Sequence, residues 1–268
     1  MKICIIGYSG FLGSHFLKHF SKEFKVLKIN LRKLPNYKSK EFKKFLDKIV
    51  KSNIIINCAA SLNPKTKRDF FINQDFPYIL QNYIKKKKIK TFLIHFSTIN
   101  VLIKNRKDPY TISKKIAEKR LINSDTIILR LPLLFNEKNG IIKKEGNLVK
   151  IHDYLKFKFF PIYPMIYPGH LYQPLNVKKI LIFTENIILK KKKSKMVYNI
   201  VGREKKYLWD FYNQIASAKK KKVLKINIKL YENLIPNFIK LYLEKKQSFL
   251  QQLISIDHSK FSEEKTFL

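Results

Sequence analysis

The stretch Lys2-Ile3-Cys4-Ile5-Ile6-Gly7-Tyr8-Ser9-Gly10-Phe11-Leu12-Gly13 decides the fold. An apolar run reads as a strand over Lys2–Ile6, breaks into glycines, and passes into a helical pattern over Leu12–Ser21. Glycine serves a different purpose at each step of such a junction. The first permits a tight turn, the second lets main-chain N–H groups approach a diphosphate, and the third lets helix pack on strand. A glycine fingerprint alone is weak evidence, but this chain of 268 residues owns only seven glycines and three of them fall here. Ser9, Phe11 and Leu12 complete the candidate cradle.

Outward from this junction, short apolar runs alternate with helical patterns. Strands are expected at Lys25–Asn30, Asn53–Cys58, Thr91–Phe96 and Thr126–Leu131. Helices are expected at Phe42–Lys51, around Phe76–Lys85 and at Pro109–Ile122. Alternation of this kind predicts an α/β, doubly wound parallel Rossmann-type sheet with right-handed crossovers. Past about Asn136 it decays. Pro161, Pro164, Pro168 and Pro174 read as loops crossing a cleft, Lys179–Leu189 and Leu208–Ser217 as helices, and Leu234–Ile254 as a long amphipathic helix. The expected division is a nucleotide-binding domain over 1–135, its sheet completed by later segments, and a smaller substrate-binding lobe over 136–268.

The formal charge of +37 invites a nucleic-acid reading. Against it, only six of the 56 basic residues are arginine, while Ile, Asn, Phe and Tyr are abundant and Gly, Pro and Trp scarce. That is the pattern of a chain in which lysine fills tolerant surface positions, so Lys85–Lys88, Lys190–Lys193 and Lys219–Lys222 read as solvated helix ends and loops and no nucleic-acid partner is expected. A basic surface still attracts phosphorylated ligands. No run reaches the roughly 18 apolar residues of a membrane span, and Lys2–Ile6 reads as a strand and not a leader, so a cytoplasmic protein is expected. Cys4 and Cys58 read as small buried hydrophobes, and the six histidines form no cluster, so no metal site is expected.

The second strand ends at Asn30, followed by Arg32 and Lys33. A carboxylate there would suit the ribose hydroxyls of NAD, whereas two cations suit a 2′-phosphate, so NADP is favoured over NAD; the alternative is that both are ordinary surface charges. Asn57-Cys58-Ala59-Ala60 closes the third strand, and two of the chain's five alanines, Ala59 and Ala60, stand there. Such small side chains leave room for a cofactor, or serve tight packing.

Tyr110 and Lys114 lie four apart on a helix that Asp108 caps and Pro109 begins, so they share one face. The spacing recurs at Tyr83/Lys87, Tyr154/Lys158 and Tyr242/Lys246, so context must choose. Only Tyr110 stands between a strand ending in the hydroxyl pair Ser97-Thr98 and a further strand, Thr126–Leu131.

Taken in order, the glycine turn, Asn57-Cys58-Ala59-Ala60, Asn73, Ser97-Thr98-Ile99-Asn100-Val101, Tyr110-x-x-x-Lys114 and Leu129-Arg130-Leu131-Pro132 resemble the extended short-chain dehydrogenases/reductases, the NAD-dependent epimerase/dehydratase family. Pro174-Leu175-Asn176-Val177 and Val197-Tyr198-Asn199-Ile200-Val201-Gly202 continue the similarity, which covers about residues 1–220. The resemblance implies that Tyr110 is the general acid/base and that Lys114 lowers its pKa and binds the nicotinamide ribose. It implies that Thr98, with Ser97 as second choice, hydrogen-bonds the reacting oxygen, and that Leu131 joins the cofactor contacts. Ile99 and Asn100 replace the Asp-Glu pair of the family's dehydratases, which disfavours a 4,6-dehydratase, and Leu102-Ile103 replaces its aromatic-glycine pair. The expected activity is an epimerase or 4-keto reductase acting on a nucleotide-activated sugar. Alternatives are a reductase of a non-sugar ketone or aldehyde, and a catalytically silent dinucleotide-binding regulator. A homodimer is plausible in this family.

Overall fold

The computed structural model describes residues 1–104, 106–122, 124–156, 162–169, 171–190, 196–227 and 266–268. The chain divides into two compact units. The first holds Met1–Leu131 and Val177–Ile200, and the second holds Pro132–Asn176 and residues 201–227.

The first unit is built on a sheet whose strands are β1 (Lys2–Ile6), β2 (Lys25–Ile29), β3 (Ile54–Asn57), β4 (Phe92–Thr98), β5 (Thr126–Leu131) and β6 (Met196–Val201). Their spatial order is β6-β5-β4-β3-β1-β2, all parallel, with the terminal strand Thr266–Phe267 beside β6. The sequence explains who sits where. Ile3 to Ile6 and all of β3 are buried, as strands covered on both faces must be. β2 exposes Lys25 and Lys28 and takes the edge. Between β1 and β3 the chain reverses its direction of travel across the sheet, and such a switch point opens a crevice at the carboxyl ends of the strands.

The connecting helices are α1 (Phe11–Phe20), α2 (Lys40–Val50), α3 (Phe76–Lys86), α4 (Pro109–Leu121) and α5 (Val177–Leu189). Ser39 caps α2 by accepting the Phe42 N–H at 3.1 Å, and Asp108 caps α4 by accepting the Thr111 N–H at 2.9 Å, with Pro109 in the first turn. Phe42, Leu46 and Ile49 of α2, and Phe76, Leu80 and Ile84 of α3, pack on Cys4, Ile6 and Ile55 of the sheet. A helical turn Lys67–Phe70 and a π turn Phe71–Asp75 lead into α3. Ser97 and Thr98 lie inside β4 and not after it.

The second unit has its own core, in which Phe211, Tyr212 and Ile215 of the helix Leu208–Ala218 meet Phe135, Tyr163 and Met165. Two parallel strands, Ile162–Tyr167 and Lys222–Asn227, support it. Pro164, read as a loop residue in the sequence, falls within the first of these. A proline lacks the N–H that an interior ladder needs, and a two-stranded ribbon leaves one side of each strand unpaired. Pro161 and the expected helix Leu234–Ile254 lie outside the described residues.

Candidate active site

All the candidate site residues described belong to the first unit, at the carboxyl ends of its strands. The turn after β1 is built by steric need. Gly7 has φ +79°, and a Cβ there would stand 2.8 Å from the Ala59 backbone. A Cβ on Gly13 would stand 2.1 Å from the Gly7 carbonyl oxygen. Gly10 differs: its φ is −79° and its Cβ would meet only the Gly7 carbonyl oxygen, at 3.4 Å. Nothing in the fold itself demands a glycine there. The position caps α1 without a side-chain hydrogen bond, and no acidic residue stands in the helix's first turn. A bare helix N-terminus with space above it fits a diphosphate, whose charge the exposed amides and the helix dipole both favour. Ser9 is exposed, and Phe11 and Leu12 are half-buried beside it.

Hydrogen bonds join this turn to its neighbours. Gly7 N–H donates to the Ile29 carbonyl at the end of β2, and Cys58 N–H donates to the Ile6 carbonyl, each at 2.9 Å. Asn57 accepts the Ala59 N–H at 3.2 Å and donates through its Nδ2 to His95 Nδ1, also at 3.2 Å. Ala59 is buried and Ala60 exposed. After β2, Asn30 accepts the Arg32 N–H at 2.8 Å and opens a 3-10 turn over Leu31–Lys33; Arg32 is exposed.

On α4, Lys114 is only 1% exposed and donates from Nζ to the Phe96 carbonyl at 2.8 Å. This bond ties the helix to β4 immediately before Ser97 and Thr98. Burial lowers the lysine's pKa to about 8, partly offset by Glu118 and Cys58. Its field acts on Cys58, whose thiol is nonetheless pushed up by burial, and on buried His95, held well below the usual imidazole range by burial first and by Lys114 second.

Tyr110 is half-buried, one helical turn before Lys114. Burial and then the Asp108 carboxylate push its phenol up. Asp108 is itself locked between its cap and Arg106, whose Nε lies 2.5 Å away. Ser97 Oγ is buried without a hydrogen-bond partner among the described residues, whereas Thr98 accepts the Asn100 N–H at 3.3 Å. Leu131 is the register partner of Thr98 on β5.

Two contributors went unread in the sequence. Asn73, named there only as part of a motif, is fully buried in the π turn. It accepts the Ser61 N–H at 2.8 Å and donates to the Ser61 carbonyl at 2.9 Å and to Ser113 Oγ at 3.0 Å, while Ser113 donates to the Tyr110 carbonyl at 2.7 Å. The loop after β3 and the helix bearing Tyr110 are thus bolted together. Arg68 donates to the Leu31 carbonyl at 3.0 Å and to that of Arg32. Among the described residues no group of three His, Cys, Asp or Glu side chains is arranged to hold a metal, and no helix is long and apolar enough to cross a membrane.

No family model matches the chain, and no curated protein matches it. Solved structures do. A dTDP-4-dehydrorhamnose reductase from Clostridium acetobutylicum matches at 18% identity over 86% of this chain and 85% of that one, with a TM-score of 0.68. The Bacillus anthracis dTDP-4-dehydrorhamnose reductase in complex with NADP matches at 16% over 86% and 85%, TM-score 0.66. A UDP-glucuronic acid 4-epimerase from Bacillus cereus in complex with NAD matches at 20% over 85% and 86%, TM-score 0.66. The fold implied by the motifs, that of the extended short-chain dehydrogenases/reductases, is the fold the chain has.

Proposed function

We propose that this chain is a member of the extended short-chain dehydrogenases/reductases, an NADP-preferring enzyme that reduces a 4-keto group on a nucleotide-activated sugar. The observation that carries the reading is the glycine turn packed against the Ala59 backbone, with buried Lys114 hydrogen-bonded to the neighbouring strand that bears Ser97 and Thr98. Structural likeness to sugar-nucleotide reductases and an epimerase supports the substrate class.

The nicotinamide, when bound, exchanges the hydride. The residues supply the rest. Gly7, Gly10 and Gly13 present the α1 amides to the diphosphate. Thr98 donates its hydroxyl to the keto oxygen and orients it, with Ser97 as the second candidate. Tyr110 transfers its phenolic proton to that oxygen as charge develops there. Lys114 stabilises the phenolate left behind. Between epimerase and reductase, the structural likeness to dTDP-4-dehydrorhamnose reductases, one of them in complex with NADP, supports the second.

The test is calorimetric titration with NADP and NAD, followed by turnover with a panel of sugar nucleotides. Tyr110→Phe should lower turnover by about 10²–10⁴-fold while dinucleotide affinity stays within about twofold. Absence of binding by either dinucleotide refutes the proposal. Binding without turnover of any sugar nucleotide or carbonyl compound replaces it with the silent regulator.

A further inference from the structure

We infer that Arg68, with Arg32, forms the subsite for the 2′-phosphate of the adenosine half of the dinucleotide and so sets the preference for NADP. The inference rests on the dinucleotide reading above and adds a residue that no motif marks.

The location follows from the backbone. Gly7 N–H is bonded to the Ile29 carbonyl, so the glycine turn and the end of β2 are held side by side. A ligand whose diphosphate lies on the α1 amides places its adenosine ribose at the residues just after β2. Those residues are Asn30, Leu31, Arg32 and Lys33, among which there is no carboxylate. The Asn30 side-chain oxygen is already engaged by the Arg32 N–H.

Arg68 reaches this loop from the turn Lys67–Phe70, 37 residues further along the chain. A single nitrogen, Nη2, donates to both the Leu31 and Arg32 carbonyls. That fixes the guanidinium plane while Nε and Nη1 keep their protons without a partner among the described residues. A planar fork held at one prong and exposed at the others is suited to a phosphate, which it can meet through two parallel bonds. The carboxylate next in sequence makes no ion pair with it among the described residues. Asp69 is occupied by the Lys65 and Thr66 N–H groups, at 3.1 and 2.9 Å, and by the Thr66 hydroxyl at 2.8 Å. Arg32, exposed on the same loop, supplies the second cation. A lysine in place of Arg68 offers a point charge and cannot both grip the loop and present a fork.

The experiment titrates the full chain, its Arg68→Met and its Arg68→Lys variants with NADP, NAD, adenosine 2′,5′-bisphosphate and AMP. The parent should prefer NADP to NAD and the bisphosphate to AMP. Arg68→Met should weaken NADP and the bisphosphate about tenfold or more, with NAD and AMP changed less than about twofold, and Arg68→Lys should fall between. Equal weakening of NADP and NAD would mean that Arg68 only holds the loop, and an unchanged NADP affinity would mean that it does nothing for the ligand; either overturns the inference. A parent that takes NAD in preference to NADP overturns it while leaving the dinucleotide reading intact. A parent that binds neither overturns both.

Discussion

An ammonium group with almost no exposure is an expensive thing to keep in a fold. Lys114 bears that cost: burial takes its pKa from 10.5 to about 8, and the Phe96 carbonyl accepts a hydrogen bond from it. Below pH 8 the residue is charged both folded and unfolded, and the native state carries the full penalty. Between 8 and 10.5 the folded chain sheds the proton while the unfolded chain keeps it, so this residue's contribution to stability improves with rising pH, by at most about 3 kcal/mol. Above 10.5 both states are neutral. Urea unfolding of the parent and Lys114→Met at pH 7 and pH 10 isolates the effect, because the other lysines are common to both. The stability difference, parent minus variant, should shift in the parent's favour by about 2 kcal/mol at the higher pH. A difference that stays constant would show that the lysine is not buried with its charge. The same residue illustrates what could be read beforehand. Spacing placed Tyr110 and Lys114 on one face, but not that the ammonium turns to a carbonyl of β4, since that bond spans 18 residues of chain. Arg68 was missed for a related reason: its partners lie 36 and 37 residues away. Its residue type was the available signal. Where lysine fills tolerant positions, an arginine marks a place needing a planar fork, as Arg106 on Asp108 and Arg130 on Glu118 also do.

At the level of elements, the three glycines of the β1–α1 junction make separable demands. Gly13→Ala drives a Cβ into the Gly7 carbonyl, a backbone atom that cannot swing aside, and should cost about 2–3 kcal/mol in chemical denaturation. Gly10→Ala meets no such obstacle and should change stability by about 1 kcal/mol or less, yet weaken NADP and NAD about tenfold or more by filling the space over the α1 amides. The reverse pattern, a destabilised Gly10→Ala with unaltered affinity, would make that glycine a packing residue. The elements flanking this junction were legible because each carries a strong local signal. β1 and β5 have the boundaries expected from their apolar runs, and α4 starts where Asp108-Pro109 said it would. The second unit was not. Its strands Leu134–Phe135, Glu137–Lys138 and Leu171–Tyr172 are two residues long, too short for any periodicity to register. Nor does a π turn such as Phe71–Asp75 have a sequence signature, although it is what carries Asn73 to Ser61 and Ser113.

Across the whole molecule the dominant physical fact is charge. With 56 basic residues against 19 acidic ones, few lysines can find a counter-charge, and the folded state holds +37 in a smaller volume than the unfolded chain does. Self-repulsion of that kind opposes compaction and is relieved by screening. The Debye length falls from about 30 Å at 0.01 M salt to about 8 Å at 0.15 M, so raising NaCl over that range should increase the midpoint of thermal unfolding by several degrees. Screening also predicts the shape of the curve: a steep rise at low salt that flattens by about 0.3 M, unlike the continued climb that an excluded, salting-out ion gives. The same screening must act oppositely on ligands. A dinucleotide and a sugar nucleotide both bring phosphates, so their association rates should fall over the range in which the fold gains stability. Stopped-flow binding and calorimetric melting on one NaCl series check the two trends together. Opposed slopes place the lysines on the surface as a diffuse field acting on fold and ligand alike. A melting temperature indifferent to NaCl would instead require the charges to be paired in the native state, contrary to the count of available carboxylates.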